Sequence, residues 1–246
     1  MRPIRRRASP ILSDYQDYKK AQPDLVARLG PYCSFCERRI ATNLAVEHVQ
    51  PKGLAAYLHL IGCWDNFLLA CVNCNSTKGS KDVNVTKILL PDRDNTFAAL
   101  QYLSDGSIEA SPMAVAAGKN QMVIDTLALT GLDKAALNSP GANGRQVALD
   151  RVRQRMEAWL TAVDSRDELA TATQNVAPLQ RAIVNIATAT GFFSIWMTVF
   201  RGDANMLGCL IDAFDGTRAS GCFELITGLS VSPAPNLDSL LAGSKL

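Results

Sequence analysis

Histidine, aromatic residues and long apolar runs are scarce in this chain. Of its 246 residues, 2 are histidine and 7% are aromatic. No apolar stretch reaches the roughly 18 residues that a transmembrane helix needs, so no membrane span is predicted. The basic opening MRPIRRR is followed by ILSDYQDYKK and not by the apolar segment of a secretory signal. We therefore expect a cytoplasmic protein without membrane association, whose 7 cysteines are metal ligands or buried thiols rather than disulfides.

Charge is divided unevenly along the chain. Residues 1–90 carry 13 Lys and Arg against 7 Asp and Glu, whereas residues 91–246 carry 12 against 16. A basic front and an acidic back favour a polyanion as the partner of the front half. The densest basic cluster, Arg2 with Arg5, Arg6 and Arg7, fits a polyanion contact and a solvated tail about equally well.

Hydrophobic periodicity and turn signals divide the chain into two predicted domains. Residues 1–110 combine a helix near 11–29, a segment dense in Cys, Gly and Asn, and a hairpin signal at Asp105-Gly106. Residues 111–246 are mainly helical and end in a tail that is expected to be loosely ordered. Helices are predicted there over 145–163, 178–190, 192–200 and 204–214. The predicted fold class is α+β, with a small metal-centred unit followed by a helical domain.

Two C-x2-C pairs predict the metal centre. They are Cys33 with Cys36 and Cys71 with Cys74. A two-residue gap lets a tight turn direct both sulfurs at one ion, and four sulfurs suit tetrahedral zinc. Four buried thiols without metal, or iron–sulfur ligation, are the alternatives. A four-sulfur zinc site is closed, so it stabilises the fold and leaves any catalysis to other residues.

The segments in and around these pairs resemble a known nuclease family. YCSFCERRI, AVEHVQPKG and WDNFLLACVNCNSTKG together resemble the HNH nucleases, whose active site is a ββα-metal unit. The resemblance covers roughly residues 31–80 and includes the acid–His pair, the proline three residues later, a middle asparagine and a terminal Cys-Asn-x-x-Lys-Gly. Asn75 stands where the family name expects a second histidine, and Glu47 stands where many members have Asp.

This resemblance implies hydrolysis of a phosphodiester bond. His48 would take a proton from water, since an imidazole has an ordinary pKa of about 6.5. Glu47 and Asn75 would hold Mg²⁺ or Mn²⁺ through oxygen, Glu47 either directly or through water. Asn66 would fix the neighbouring loop and orient the base. A purely structural role for His48 is the alternative. The candidate phosphate contacts are Lys52 and Lys78.

A looser resemblance extends over most of the chain. With LLPDRDNT, SDGSIEAS and FFSIWM, the chain is similar to the PtuB-type HNH proteins of Septu anti-phage systems and of retrons. This implies a bacterial defence effector that an ATPase partner, PtuA, holds in check, with residues 111–246 as the docking domain. DNA is the expected substrate. An RNA nuclease, acting for example on tRNA, and a non-catalytic zinc module that binds nucleic acid or a partner are the alternatives.

Overall fold

Helices and two small antiparallel sheets make up the part of the chain that the structure, a computed structural model, describes: residues 1–134 and 151–246. The α+β class is therefore confirmed. The strands are β1 (Ala45–His48), β2 (Phe67–Ala70), β3 (Leu100–Tyr102) and β4 (Ile108–Ala110). The helices are α1 (Gln22–Leu29), α2 (Val72–Lys78), α3 (Thr96–Ala99), α4 (Pro112–Ala116), α5 (Asn120–Thr130), α6 (Arg151–Thr171), α7 (Val176–Thr190), α8 (Phe193–Val199) and α9 (Ala204–Ala213). None of these helices combines the length and apolarity needed to cross a bilayer.

The front half is organised around β1, β2 and α2. β1 and β2 pair antiparallel, so that His48 lies opposite Phe67 and Glu47 opposite Leu68. β2 is buried at all four positions, as its apolar sequence FLLA requires. The chain then passes through extended Cys71 directly into α2. This strand–strand–helix order places the end of β1 on the same side as Asn75 and Lys78 of α2.

Most of the predicted helices and the hairpin are confirmed. The predicted hairpin turns at Asp105-Gly106, between β3 and β4. The predictions over 178–190, 192–200 and 204–214 correspond to α7, α8 and α9. The helix predicted over 145–163 is α6 from Arg151 onward, and its first residues lie outside the described part of the chain. The N-terminal helix is shorter than predicted, because a 3₁₀ turn at Tyr18–Ala21 precedes α1, which carries Pro23 in its first turn.

A buried carboxylate ties the first cysteine pair to the helical part of the chain. Glu37 follows Cys36 with a left-handed backbone, φ 64°. Its carboxylate accepts hydrogen bonds from the Ser194 backbone N–H at 2.8 Å, the Ser194 hydroxyl at 2.6 Å and the Tyr102 hydroxyl at 3.2 Å. Hydrogen bonds of this kind to a charged acceptor are among the stronger ones. They compensate for burying the charge, and they connect the front half to β3 and α8.

Gly191 allows a close backbone approach between the two halves. It ends α7 with φ 81°, and a Cβ there would lie 2.5 Å from the Glu37 carbonyl oxygen. Only glycine fits both this φ and this contact. The hydrophobic core is likewise continuous from the front half to α9. The predicted domain boundary at residue 110 stays a prediction.

Charged residues that the sequence suggests are exposed lie in the interior. Arg2 donates to the Leu29 carbonyl oxygen at 2.6 Å, and Arg6 forms an ion pair with Asp92 at 2.9 Å. Both arginines are buried, and so is Asp94, which pairs with Lys245 at 2.9 Å. Two of the four arginines of the N-terminal cluster, Arg2 and Arg6, therefore stabilise the fold. The C-terminal segment, expected to be loose, hydrogen-bonds to residues 93–95.

Candidate active site and metal centre

The four predicted cysteine ligands converge at one point. One sulfur from each of Cys33, Cys36, Cys71 and Cys74 lies within 4.8 Å of the others, and all four residues are buried. Within residues 1–134 and 151–246, this is the only group of three or more His, Cys, Asp or Glu side chains that could share an ion. Four sulfurs at this spacing fit a structural metal ion such as zinc.

Local backbone hydrogen bonds form the two halves of this centre. In the first pair, the Glu37 N–H donates to the Cys33 carbonyl at 2.9 Å, and the Cys33 N–H donates to the Arg38 carbonyl at 3.0 Å. In the second pair, Cys71 precedes α2 and Cys74 lies in its first turn. The pairs meet because the Ser34 N–H donates to the Leu69 carbonyl on β2 at 2.7 Å.

An open cleft of about 570 Å³ is lined by residues of β1 and α2. Pockets that bind small molecules typically have volumes in this range. Five of the predicted site residues line the cleft, namely Glu47, His48, Lys52, Asn75 and Lys78. Glu47 and His48 are adjacent on β1, yet both contribute to the wall. The pairing of β1 with β2 is regular through both residues, and the chain bends only afterwards, at Val49 and Gln50.

His48 is held in one orientation by its surroundings. Its Nε2 lies 3.0 Å from the Ile61 carbonyl oxygen, which can only accept, so Nε2 carries the proton. The ring also packs edge-on against Tyr18 and Phe67, with centroid distances of 4.8 and 5.2 Å. In the neutral ring, Nδ1 is then the acceptor, and within the described residues no hydrogen bond engages it.

Several groups act on the pKa of His48. Burial lowers it below the ordinary value of 6.5, and the Ile61 carbonyl acts in the opposite direction. The ammonium groups of Lys52 and Lys78 lower it further. The net effect favours the neutral imidazole at physiological pH, which is the form that accepts a proton.

Glu47 forms a buried ion pair with Lys78. The carboxylate Oε1 lies 2.8 Å from Lys78 Nζ, and both side chains are at most 5% exposed. Lys78 also donates to the His48 carbonyl oxygen at 2.7 Å. Burial raises the pKa of the Glu47 carboxyl, although Lys78 acts to lower it. The ammonium group of Lys78, a candidate phosphate contact, is therefore already bonded to two residues at the end of β1.

Asn66 lies outside the cleft and holds the loop behind it. Its side-chain oxygen accepts from the Gln50 N–H at 2.8 Å, and its amide donates to the carbonyls of Gln50 at 3.0 Å and Leu60 at 3.3 Å. It therefore connects the chain after β1 to the residue preceding Ile61. Because the Ile61 carbonyl holds His48, Asn66 affects the position of His48 through this loop.

Asn75 and Lys52 differ in how they are held. Asn75 is half-buried on α2 and lies three positions before Lys78, so both residues are on one side of the helix. Lys52 is exposed, donates to the Tyr18 hydroxyl, and has its ammonium 4.0 Å from the centroid of the Tyr18 ring. Lys52 is therefore the more accessible of the two candidate phosphate contacts.

Removal of the Lys78 ammonium should destabilise the fold. We expect Lys78→Met to cost about 3–5 kcal/mol at neutral pH, because the Glu47 carboxylate would be left buried and unpaired. The loss of stability should become smaller on acidification. Burial raises the pKa of the Glu47 carboxyl in the folded state, so this group takes up a proton as the pH falls. Below the pKa that it has in the unfolded chain, the carboxyl is neutral in both states and the penalty disappears. Urea unfolding at several pH values measures both effects.

The controls for Lys78→Met are an exposed lysine and a double variant. Lys52→Met, which removes an exposed ammonium, should change stability by about 0.5 kcal/mol or less. Glu47→Gln combined with Lys78→Met should recover much of the lost stability, since no lone buried charge remains. A double variant as unstable as Lys78→Met alone would contradict the ion-pair explanation.

Four contributors to the site were not predicted. Tyr18 packs on His48, the Ile61 carbonyl orients His48, and Arg38 and Arg151 donate to cysteine sulfurs. A backbone carbonyl leaves no signal in the residue type. Tyr18 and Arg151 reach the site only through tertiary folding, and Arg38 alone has a local signal, because it lies two residues after Cys36.

Comparison with known proteins does not assign this chain to a family. No protein-family model matches it, and a search of curated proteins finds no match.

Proposed function

We propose that this chain is a metal-dependent endonuclease that hydrolyses phosphodiester bonds in DNA, with His48 as the general base. The observation that carries the proposal is the state of His48: its Nε2 is fixed on the Ile61 carbonyl at 3.0 Å, which leaves Nδ1 to accept a proton. Around it, one cleft of about 570 Å³ collects a carboxylate, an amide and two ammonium groups. Activation of water, together with binding of a phosphate, needs these kinds of groups.

In this proposal His48 removes a proton from the attacking water through Nδ1. The Ile61 carbonyl then faces the Nε2–H of the imidazolium that forms, and so stabilises it. Tyr18 and Phe67 restrict rotation of the ring. A base whose side chain is already fixed loses less conformational entropy on reaching the transition state than a freely rotating one. The lowered pKa keeps the imidazole neutral, and therefore active, before the reaction.

Glu47 and Asn75 are the residues that would hold the divalent cation. A carboxylate oxygen and an amide oxygen are hard donors that suit Mg²⁺ or Mn²⁺, and such ions usually keep several waters when few protein ligands are present. When bound, the cation would neutralise charge on the phosphate and lower the pKa of its water. Lys78 shares the Glu47 carboxylate, so it would balance the charge on this ligand.

Nucleic acid is favoured as the substrate by the exposed lysines that line the cleft. Part of the basic excess of residues 1–90 is not available to a ligand, because Arg2 and Arg6 are buried. Lys19 and Lys52 are exposed and line the cleft. Contacts of this type bind phosphate without reading base sequence. We take DNA rather than RNA from the resemblance of residues 31–80 to HNH nucleases.

The wider resemblance gives the proposed biological role. As a PtuB-type protein, the chain would be a cytoplasmic effector of bacterial anti-phage defence, controlled by an ATPase of the PtuA type. Residues 111–246 would then contact that partner. Exposed apolar side chains in this region, at Leu225, Ile226 and Leu229, are compatible with a protein contact.

The test is cleavage of supercoiled plasmid and of total RNA with Mg²⁺, with Mn²⁺ and with EDTA. Loss of supercoiled DNA that EDTA prevents is the expected result, in the isolated chain or after addition of the ATPase partner. Cleavage of RNA alone would replace DNA by RNA as substrate. Absence of cleavage on both substrates, with and without the partner, would refute the nuclease proposal and favour a zinc module that only binds.

A further inference from the structure

Two arginines donate hydrogen bonds to the sulfurs of the second cysteine pair. Arg38 Nη2 lies 3.1 Å from Cys71 Sγ, and Arg151 Nη1 lies 3.3 Å from Cys74 Sγ. Arg38 follows the first cysteine pair, whereas Arg151 begins α6, far away in the sequence. The metal centre is therefore contacted by one arginine from the turn of the first cysteine pair and by one from α6, which contributes no ligand.

The charge of the centre explains why guanidinium groups are found there. Four thiolates on one divalent ion leave two negative charges uncompensated. All four cysteines are buried, and a buried charge without a partner is strongly unfavourable. One guanidinium on each of two sulfurs supplies the opposite charge and also donates N–H groups to the thiolates.

Both arginines are also anchored to the helices around α2. Arg151 donates to the Thr130 carbonyl at 3.0 Å and to the Gly131 carbonyl, at the C-terminal end of α5. Arg38 donates to the Gln154 side chain on α6 at 3.1 Å. Each guanidinium thus bridges a sulfur at the start of α2 and a neighbouring helix. A planar group with several donors can make such a bridge, and an ammonium cannot reproduce its geometry.

We propose that Arg38 and Arg151 are positioning residues of the metal centre, which neutralise the thiolates of Cys71 and Cys74 and fasten α2 to α5 and α6. This inference depends on metal binding by the four cysteines and not on the proposed nuclease activity. It has a consequence for the candidate active site, because α2 also carries Asn75 and Lys78. The helical part of the chain then helps to hold the cleft through the metal.

The first measurement is the rate at which zinc leaves the full-length, zinc-loaded protein. We expect Arg151→Met and Arg38→Met each to transfer zinc to a chromogenic chelator about 10–100-fold faster than the wild type, the usual effect of losing a partner of a metal ligand. The matched control is Arg166→Met, also on α6, whose guanidinium pairs with the adjacent Asp167 at the surface. Its release rate should stay within about twofold of the wild type.

The second measurement separates direct contact with sulfur from a general loss of stability. In the cobalt-substituted protein, the sulfur-to-metal charge-transfer band reports the electron density on the thiolates. Loss of a hydrogen bond raises the energy of the sulfur orbitals, so the band should move to longer wavelength in Arg151→Met and Arg38→Met. Arg166→Met should leave it unchanged. If a methionine variant does not fold, the corresponding Arg→Lys variant, which keeps the charge but loses the fork, should show the same two changes in smaller measure.

These outcomes decide the proposal. Faster release together with a shifted band, in both arginine variants and not in the control, supports it. Faster release with an unchanged band would overturn it, because the arginines would then act only on overall stability. Unchanged release overturns it as well. A wild-type chain that binds neither zinc nor cobalt would refute the metal centre and this proposal together, and would leave the nuclease proposal to its own cleavage test.

Discussion

Replacement of Cys71 by serine is expected to remove zinc from the protein and to unfold its front half. Cys71 is one of four sulfurs within 4.8 Å of one another, and it directly precedes α2. Structural zinc contributes about 10 kcal/mol or more to the folding of such units. That equals or exceeds the total stability of many domains, about 5–15 kcal/mol. Elemental analysis should therefore find almost no zinc, and circular dichroism should show a large loss of structure.

Cys222 provides a matched control for this experiment. It is also a buried free cysteine, and burial raises the pKa of its thiol to about 11, so it behaves as a small apolar side chain. Cys222→Ala should keep its zinc and lose only about 1 kcal/mol of stability. Chelation of zinc from the wild type should reproduce the Cys71→Ser result. A Cys71→Ser protein that stays folded with its zinc would refute a structural four-cysteine centre.

The four-cysteine cluster could be predicted from the sequence because the signal for it, the C-x2-C spacing, is local. A C-x2-C spacing commits two sulfurs to one ion whatever surrounds them, and the two pairs indeed converge. The short apolar strand before the second pair was similarly readable, since β2 is buried on both faces. The positions of Glu47 and His48 beside Asn75 follow once β1 and α2 are placed next to each other.

Features that depend on long-range packing were not readable in the same way. Asp92, Arg93 and Asp94, in the segment LLPDRDNT, are all buried. Their partners, including Arg6 and Lys245, come from opposite ends of the chain. A charge is stable in the interior only when such a partner is found. The sequence shows the charges but not the pairing.

The same reason limits what could be inferred about the catalytic geometry. Adjacent residues on a strand normally point to opposite faces, so Glu47 next to His48 predicts a break in the strand. In the structure β1 pairs regularly with β2 through both residues, and both line the cleft without a break between them. Asn66 holds the chain after β1 from a distant position. Neither this arrangement nor the position of the Ile61 carbonyl behind His48 has a signature in residue type.

Replacement of His48 by alanine should reduce cleavage by about 10²–10⁴-fold, the usual contribution of a general base. Zinc content should not change, because His48 contacts no cysteine sulfur and the metal centre uses separate residues. His59→Gln is the control: His59 is the other histidine of the chain, it is exposed, and its loss should leave the rate unchanged. A His48→Ala protein that cleaves like the wild type would exclude His48 as the base, and one that loses zinc would show that the two sites are not separate.

The pH dependence gives an independent test of the same base. The rate should rise as His48 loses its proton, and the rising limb should lie on the acidic side of pH 6.5, because burial and the two lysines lower its pKa. Lys52→Met removes one of these positive charges and makes the imidazolium less unfavourable. The pKa of His48 should therefore increase, and the limb of kcat/KM should move to higher pH.

Loss of a phosphate contact would lower the height of the profile without moving this midpoint, so the two roles of Lys52 are separable in one experiment. A midpoint that does not move in Lys52→Met would mean that the limb reports some group other than His48.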